Sequence, residues 1–321
     1  PIHLIFIGCV LFIYACDGQS NKGKDKKPDQ VEAPKTINPP AFNKDSAYYF
    51  VQKQVEFGPR VPNSIGHINC GDWLFSKLQQ YTDTVYEQRV DLKAFNGTIL
   101  KSRNLIGSIN PDNKKRVLLC AHWDTRPFAD QDTKDKSKPI LGANDGASGV
   151  AVLLELARIM QLQNPGIGVD FILFDSEDYG SNEHEDSYCL GSQYWAKNPH
   201  VPGYRANYGI LLDMVGAKNA TFAREGVSEQ FASDIVNRVW TTASRLGYGN
   251  YFINYNRGGI IDDHYYVNQL AQIPTIDIIH YDPNTPSGFG KYWHTHDDNL
   301  ESVDPQTLLA VGATVAWVVY N

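Results

Sequence analysis

Asp145, the adjacent pair Glu177-Asp178, and His294, which follows Trp293, are separated by long stretches of chain, yet each falls where a predicted strand ends or in the loop beyond it. Carboxylate oxygens and an imidazole nitrogen suit a hard-to-borderline cation, zinc above all. Asp145 stands in Gly142-Ala143-Asn144-Asp145-Gly146, whose small residues let the backbone approach an ion closely; a plain interaction with the start of the following helix is the simpler alternative. Residues Glu177 and Asp178 leave a strand in different directions, so one can bind metal while the other faces a substrate, unless both are merely solvated loop acids. A metal on Asp178 would relieve the repulsion between them and free Glu177 to move protons. His294 competes with His296 for the ligand role, but the indole of Trp293 could wall a small-substrate pocket. His122 and Asp124 share one strand face; with Asp145, Asp178, Asp213 and His294 they suffice for two zinc ions sharing a carboxylate, so one metal or two remain open.

These residues need a scaffold that gathers strand ends. Apolar spacing predicts helices over residues 46–55 and 67–81, with Phe57-Gly58-Pro59-Arg60-Val61-Pro62 breaking the chain between them. Strands are predicted over 85–95, 104–109 and 116–121, a buried helix over 148–161, and short apolar strands over 169–174, 208–214 and 273–280. Residues 228–246 and 304–320 read as helices. Such alternation gives an α/β fold, a mixed central β-sheet flanked by helices on both faces, in which ligands gather at the carboxyl ends of the strands.

The chain has 321 residues and a net charge of -7, with no basic cluster outside residues 22–27, which argues against a nucleic-acid partner. The apolar run from Ile2 to Ala15 is shorter than the roughly 20 residues of a spanning helix. Ending at Ala15-Cys16, it reads as a lipoprotein signal over residues 1–16, with Cys16 as the lipidated residue and membrane anchor. Residues 17–42 are rich in Lys, Asp, Gly and Pro and read as a flexible polar tether, leaving 43–321 as a single catalytic domain on an exported protein, facing the periplasm or the outer surface. Beyond Cys9 and Cys16 only Cys70, Cys120 and Cys189 remain, so one internal bridge at most can form. Cys120, in an apolar strand beside His122, reads as a small buried hydrophobe, with thiolate ligation as the alternative.

Taken together, His122-x-Asp124, Gly142-Ala143-Asn144-Asp145, Phe174-Asp175-Ser176-Glu177-Asp178, Leu212-Asp213-Met214, Ile261-Asp262-Asp263-His264 and Trp293-His294-Thr295-x-Asp297-Asp298-Asn299 resemble the glutaminyl-peptide cyclotransferases of the zinc-aminopeptidase-like superfamily. The resemblance spans roughly residues 45–320. It implies a single zinc held by Asp145, Asp178 and His294, a proton-shuttling Glu177, a hydrogen-bond network of Asp213, Asp262 and His280, and Trp293 packed on the substrate stem. Three departures stand out. Animal members carry Glu-Glu where this chain has Glu177-Asp178; the loop Tyr179 to Cys189 lacks the family's nearby tryptophan; and Val150 replaces the disulfide partner of Cys120. The membrane-tethered bacterial branch fits this pattern.

The implied reaction closes an N-terminal glutamine of a peptide or protein into pyroglutamate and expels ammonia. Two rivals use the same residues: a two-zinc aminopeptidase, with His122 and Asp213 on the second metal, and a non-catalytic surface lipoprotein that binds peptide termini.

Overall fold

The computed structural model describes residues 36–321; the signal, the Cys16 anchor and most of the tether lie outside the described residues. One compact unit runs from Ile37 to Asn321. Its start therefore precedes the expected boundary at residue 43: Ile37 donates its backbone N–H to Asn321 Oδ1 at 2.9 Å, and the Phe42 ring is buried against Gly312, where any Cβ would collide with it.

Helix α1 (Lys44–Glu56) starts on Asn43, whose side chain accepts from the Asp45 and Ser46 N–H groups, and α2 (Ile65–Tyr81) starts on Ser64, which accepts from His67. There follow β1 (Thr84–Lys93), β2 (Ile99–Ile109), β3 (Arg116–His122), α3 (Ala147–Leu162), β4 (Gly168–Phe174), α4 (Leu190–Lys197) and β5 (Gly209–Asp213). The chain continues through β6 (Phe222–Arg224), α5 (Gly226–Arg245), β7 (Phe252–Asn256), α6 (Asp263–Tyr266), β8 (Thr275–Ile279) and α7 (Pro305–Tyr320). The main sheet has the order β1-β2-β4-β3-β5-β8, and β6 pairs with β7 beside it. Strands β4, β3, β5 and β8 run parallel, while β2 is antiparallel to β4 and β1 to β2.

The alternation of side chains along each strand divides the core into two layers. Val117, Leu119 and Ala121 of β3 join the larger layer with α1, α2, α3, α5 and α7. Leu118 and Cys120 point the other way, toward Trp195 of α4 and Val267. Cys120 is thus a buried apolar-face residue, its thiol pushed well up by burial, and it stands apart from the ligand cluster described below. Cys70, Cys120 and Cys189 are all buried free thiols. Four parallel strands sharing one direction bring the ends of β3, β4, β5 and β8 to a single sheet edge. Among the described residues no helix is long and apolar enough to cross a membrane.

Candidate metal centre and active-site pocket

At that edge His122 closes β3, Glu177 and Asp178 follow β4, Asp213 closes β5 and His280 follows β8. Asp145 precedes α3, in a turn that needs glycine: Gly146 has φ +89°, and an added Cβ would come within 2.8 Å of Asp124 O and 2.9 Å of His122 Cε1. Non-glycine residues with left-handed backbone also collect here, at Ser176, Cys189, Met214 and His294. Such strain is held where the surrounding structure fixes a functional geometry.

Two buried carboxylates and one buried guanidinium supply that fixing. Asp124 accepts the backbone N–H of Glu177 at 3.0 Å and of Asp178 at 3.2 Å, and so aims the dipeptide. Asp298 accepts the N–H of Asn144 at 2.8 Å and of Asp145 at 3.0 Å, tying the Asp145 turn to the His294 loop. Arg60, fully buried, donates to the carbonyls of Trp123, Leu141 and Gly142. The roles of Asp298 and Arg60 were not foreseen from sequence. Asp298 belongs to the Trp-His-Thr-x-Asp-Asp-Asn segment, but its partners are backbone groups far away in the chain; Arg60 sits in what reads only as a chain break.

Asp145, Asp178 and His294 each offer a ligand atom, and those atoms lie within 4.8 Å of one another. His294 Nε2 is 3.2 Å from Asp178 Oδ1 and 3.8 Å from Asp145 Oδ2. Asp178 Oδ2 is buried without a hydrogen-bond partner, a cost that a cation would remove. Two carboxylates and one imidazole fit zinc, so these three residues would hold it. Behind them Arg126 donates to the Asp178 carbonyl at 2.8 Å and pairs with Asp130, whose Oδ1 lies 3.4 Å from His294 Nδ1. Asp178 is shorter than glutamate, and the backbone brings it near enough: its N–H and C=O are both pinned, by Asp124 and Arg126.

His122, Asp145 and Asp213 form a second cluster that shares Asp145. Here the imidazole already bridges the acids, with Nε2 at 3.0 Å from Asp145 Oδ1 and 3.1 Å from Asp213 Oδ1. Of the two competing histidines, His296 turns its Nδ1 to Asp132 at 2.9 Å, away from the cluster. His294→Ala should therefore lower metal affinity by more than roughly 100-fold, whereas His296→Ala should keep its metal through dialysis. Metal content per chain by emission spectrometry checks this; the reverse pattern would exchange the two assignments.

The cluster opens into a cavity of about 400 Å³ lined by Glu177, Asp213, Asp262, Tyr188 and Trp293 among others. The Trp293 ring stacks on His294, 3.9 Å between centroids, and so covers one flank of the centre. The loop of residues 181–188 contributes a further part of the lining, with the Arg126 guanidinium over the Tyr188 ring. Burial pushes the Glu177 carboxyl well above the usual carboxylate range; His122 opposes this, while Asp178, Asp262 and Asp263 add to it. Burial also raises Asp213 to about 7, against the pull of His122. Cys189 is a free thiol beside Glu177. Its thiol, kept protonated by burial and by Glu177, donates to Glu177 Oε1 at 3.3 Å. Asp262 caps α6 with Oδ1 and leaves Oδ2 without a partner. His280 takes a different place from the expected network with Asp213 and Asp262: its Nδ1 is 2.7 Å from the Tyr292 hydroxyl, which also accepts from Asn144. Burial lowers His280 to about 4, so it is neutral near pH 7 and accepts the Tyr292 proton.

A mixed sheet with this acid and imidazole cluster at its carboxyl edge defines a metallohydrolase-type enzyme, and the chain belongs to peptidase family M28, whose model matches residues 104–319. Within that breadth it is similar to a glutaminyl cyclase of Bacteroides thetaiotaomicron solved bound to N-acetylhistamine, at 53% identity and TM-score 0.87 over 88% of this chain and 99% of that one. A Zn-dependent exopeptidase of Parabacteroides distasonis is similar at 55% identity and TM-score 0.87, with the same coverage of both chains. The glutaminyl-peptide cyclotransferase of Bos taurus is 27% identical over 278 residues, 78% of this chain and 74% of that protein.

Proposed function

We propose that the chain is a zinc-dependent glutaminyl-peptide cyclotransferase that converts N-terminal glutamine of peptides and proteins into pyroglutamate with release of ammonia. The observation that carries this reading is the placing of Asp262: it lines the cavity, and one of its carboxylate oxygens lies within 4.8 Å of a carboxylate oxygen of Glu177 and of the Cys189 thiol. A side-chain amide brings N–H groups that need an acceptor beside the proton-shuttling acid.

Asp145, Asp178 and His294 would hold the zinc, which when bound would supply Lewis-acid polarisation of the substrate carbonyl. The rest falls to the chain's own residues. Glu177 takes a proton from the attacking α-nitrogen and delivers it to the departing amide nitrogen, so that one C–N bond forms, another breaks and ammonia leaves. Its carboxyl is aimed by the Asp124 bond to its backbone and by the Cys189 thiol. Asp262 holds the amide N–H, and Trp293 packs on the aliphatic stem and excludes water. Because nucleophile and electrophile belong to one residue, the protein has only to fold the side chain back.

One zinc per chain is our reading: Asp178 of the first cluster keeps a buried oxygen without a partner, whereas Asp213 of the second is hydrogen-bonded to His122 Nε2 at 3.1 Å. The same second cluster keeps a two-zinc aminopeptidase as the rival. A coupled ammonia assay on Gln-initiated peptides, with metal counted on the same sample, separates them. Ammonia with one zinc supports the cyclase; free amino acids with two zincs sink it.

We further propose export and lipid anchoring at Cys16, supported by the apolar run that ends at Ala15 and the polar stretch after it. Cys16→Ala should move the protein from the membrane to the soluble fraction; an unchanged distribution counts against the anchor.

A further inference from the structure

The cavity is lined by seven carboxylates and by neither lysine nor arginine. Five of them lie in or beside the metal and proton-transfer machinery: Asp145, Glu177, Asp178, Asp213 and Asp262. The remaining two, Glu185 and Asp186, stand on the exposed loop that forms the outer wall. Asp186 is engaged, its Oδ1 accepting the Tyr266 hydroxyl at 2.8 Å and its carbonyl accepting Gln193 at 2.9 Å. That anchors the neighbouring residue at the rim, while no hydrogen bond or ion pair among the described residues engages the Glu185 side chain.

Two arginines touch residues of the cavity lining without belonging to it. Arg126 is buried and committed to Asp130 and to the carbonyls of Asp178 and Gly180. Arg257 lies over the rings of Tyr281 and Phe289, 4.9 and 5.3 Å from their centroids, with Nη1 buried and without a hydrogen-bond partner.

Cyclisation requires the α-nitrogen and the γ-amide of the same residue at the cavity floor. The second residue of the substrate must therefore leave through the mouth, about 3.8 Å further along the chain. The loop of residues 181–188 supplies lining residues that are also exposed, which places it on a way out of the cavity. We infer that Glu185 at the pocket rim selects peptides whose second residue is lysine or arginine and disfavours those with aspartate or glutamate there. This inference rests on the cyclase reading above. Between partly solvated charges at such a rim the discrimination is modest, roughly three- to tenfold for each reversal of sign, and it weakens with salt.

The test uses the zinc-loaded enzyme and matched peptides beginning Gln-Lys, Gln-Ala and Gln-Glu, with ammonia release read as kcat/KM at low and high salt. The expected order is Lys above Ala above Glu, with the spread contracting at high salt. Glu185→Gln should narrow the Lys/Glu ratio, and Glu185→Lys should invert it; these ratios are internal to each variant, so loss of active protein does not affect them. Equal rates for the three peptides, or a Lys/Glu ratio unmoved in Glu185→Lys, overturn the inference alone. Absence of ammonia from every peptide overturns the cyclase reading and the inference with it.

Discussion

Glu177→Gln should lower kcat by roughly 10²- to 10⁴-fold while leaving zinc content and thermal stability at the level of the parent. The substitution keeps the size and most contacts of the side chain. Its backbone N–H still meets Asp124, 3.0 Å away in the parent, and the new amide oxygen can still accept from Cys189. What disappears is the capacity to take up and return a proton. The carboxylates assigned to the metal, Asp145 and Asp178, are untouched, so occupancy should hold. Asp178→Ala gives the contrasting outcome, because it deletes a ligand: zinc should be lost and activity with it. Kinetics and metal counts on the same preparations distinguish the two residues although they are adjacent. A Glu177→Gln enzyme within a few-fold of parental kcat would remove Glu177 from proton transfer and leave the cyclase mechanism without its acid-base group.

Much of the scaffold was legible because burial on both faces writes itself into sequence as an unbroken apolar run. Strands β3, β4, β5 and β8 are buried at every position, and their predicted ranges differ from the observed ones only at the ends. Strand β2 begins at Ile99 rather than at the predicted residue 104, since its first part alternates with charged and polar side chains. Lys101 and Arg103 are satisfied across the pair, by Asp91 and Glu87 of the edge strand β1, and such partners cannot be seen in a single segment. Helix α4 was missed for a local reason: it starts at Cys189 in left-handed conformation, with no side-chain cap to announce it.

The site divides in a similar way. Asp145, Glu177 and Asp178 could be singled out because a strand end or a glycine turn places each of them, and His294 because Trp293 precedes it in a recognisable segment. Residues that act by accepting or donating to distant backbone leave no such trace. Asp124 reads in the sequence as a possible ligand beside His122, and only its two bonds to the Glu177-Asp178 backbone show it as a support. His280 was placed with the acids from resemblance, whereas its imidazole is occupied by Tyr292, a contact made through a loop that carries no periodic signal.

The largest structural effect is expected at Arg60, among the largest fully buried side chains in the molecule. Its three donors reach Trp123 O at 3.1 Å, Leu141 O at 2.5 Å and Gly142 O at 2.7 Å, joining the end of β3 to the turn that presents Asp145. Burial lowers its pKa, while the nearby acids, Asp298, Asp124 and Asp145 among them, favour the charged form. Arg60→Met keeps much of the volume but strands three carbonyls in the interior and leaves those acids without their counter-charge. Such a change costs about 3–5 kcal/mol. It should appear as a lower denaturant midpoint with an unchanged slope, in metal-free and metal-loaded protein alike. A second effect follows from position: with the 141–146 turn released, Asp145 is no longer held for the ion, and zinc affinity should fall by roughly 10- to 100-fold. Arg60→Lys should rescue little, because one ammonium cannot reproduce the planar fork that serves three fixed carbonyls. A parental midpoint in Arg60→Met would mean that the turn is held by Asp298 alone, through its bonds to Asn144 and Asp145. In that case Asp298→Ala, and not the arginine variant, would release the zinc ligand.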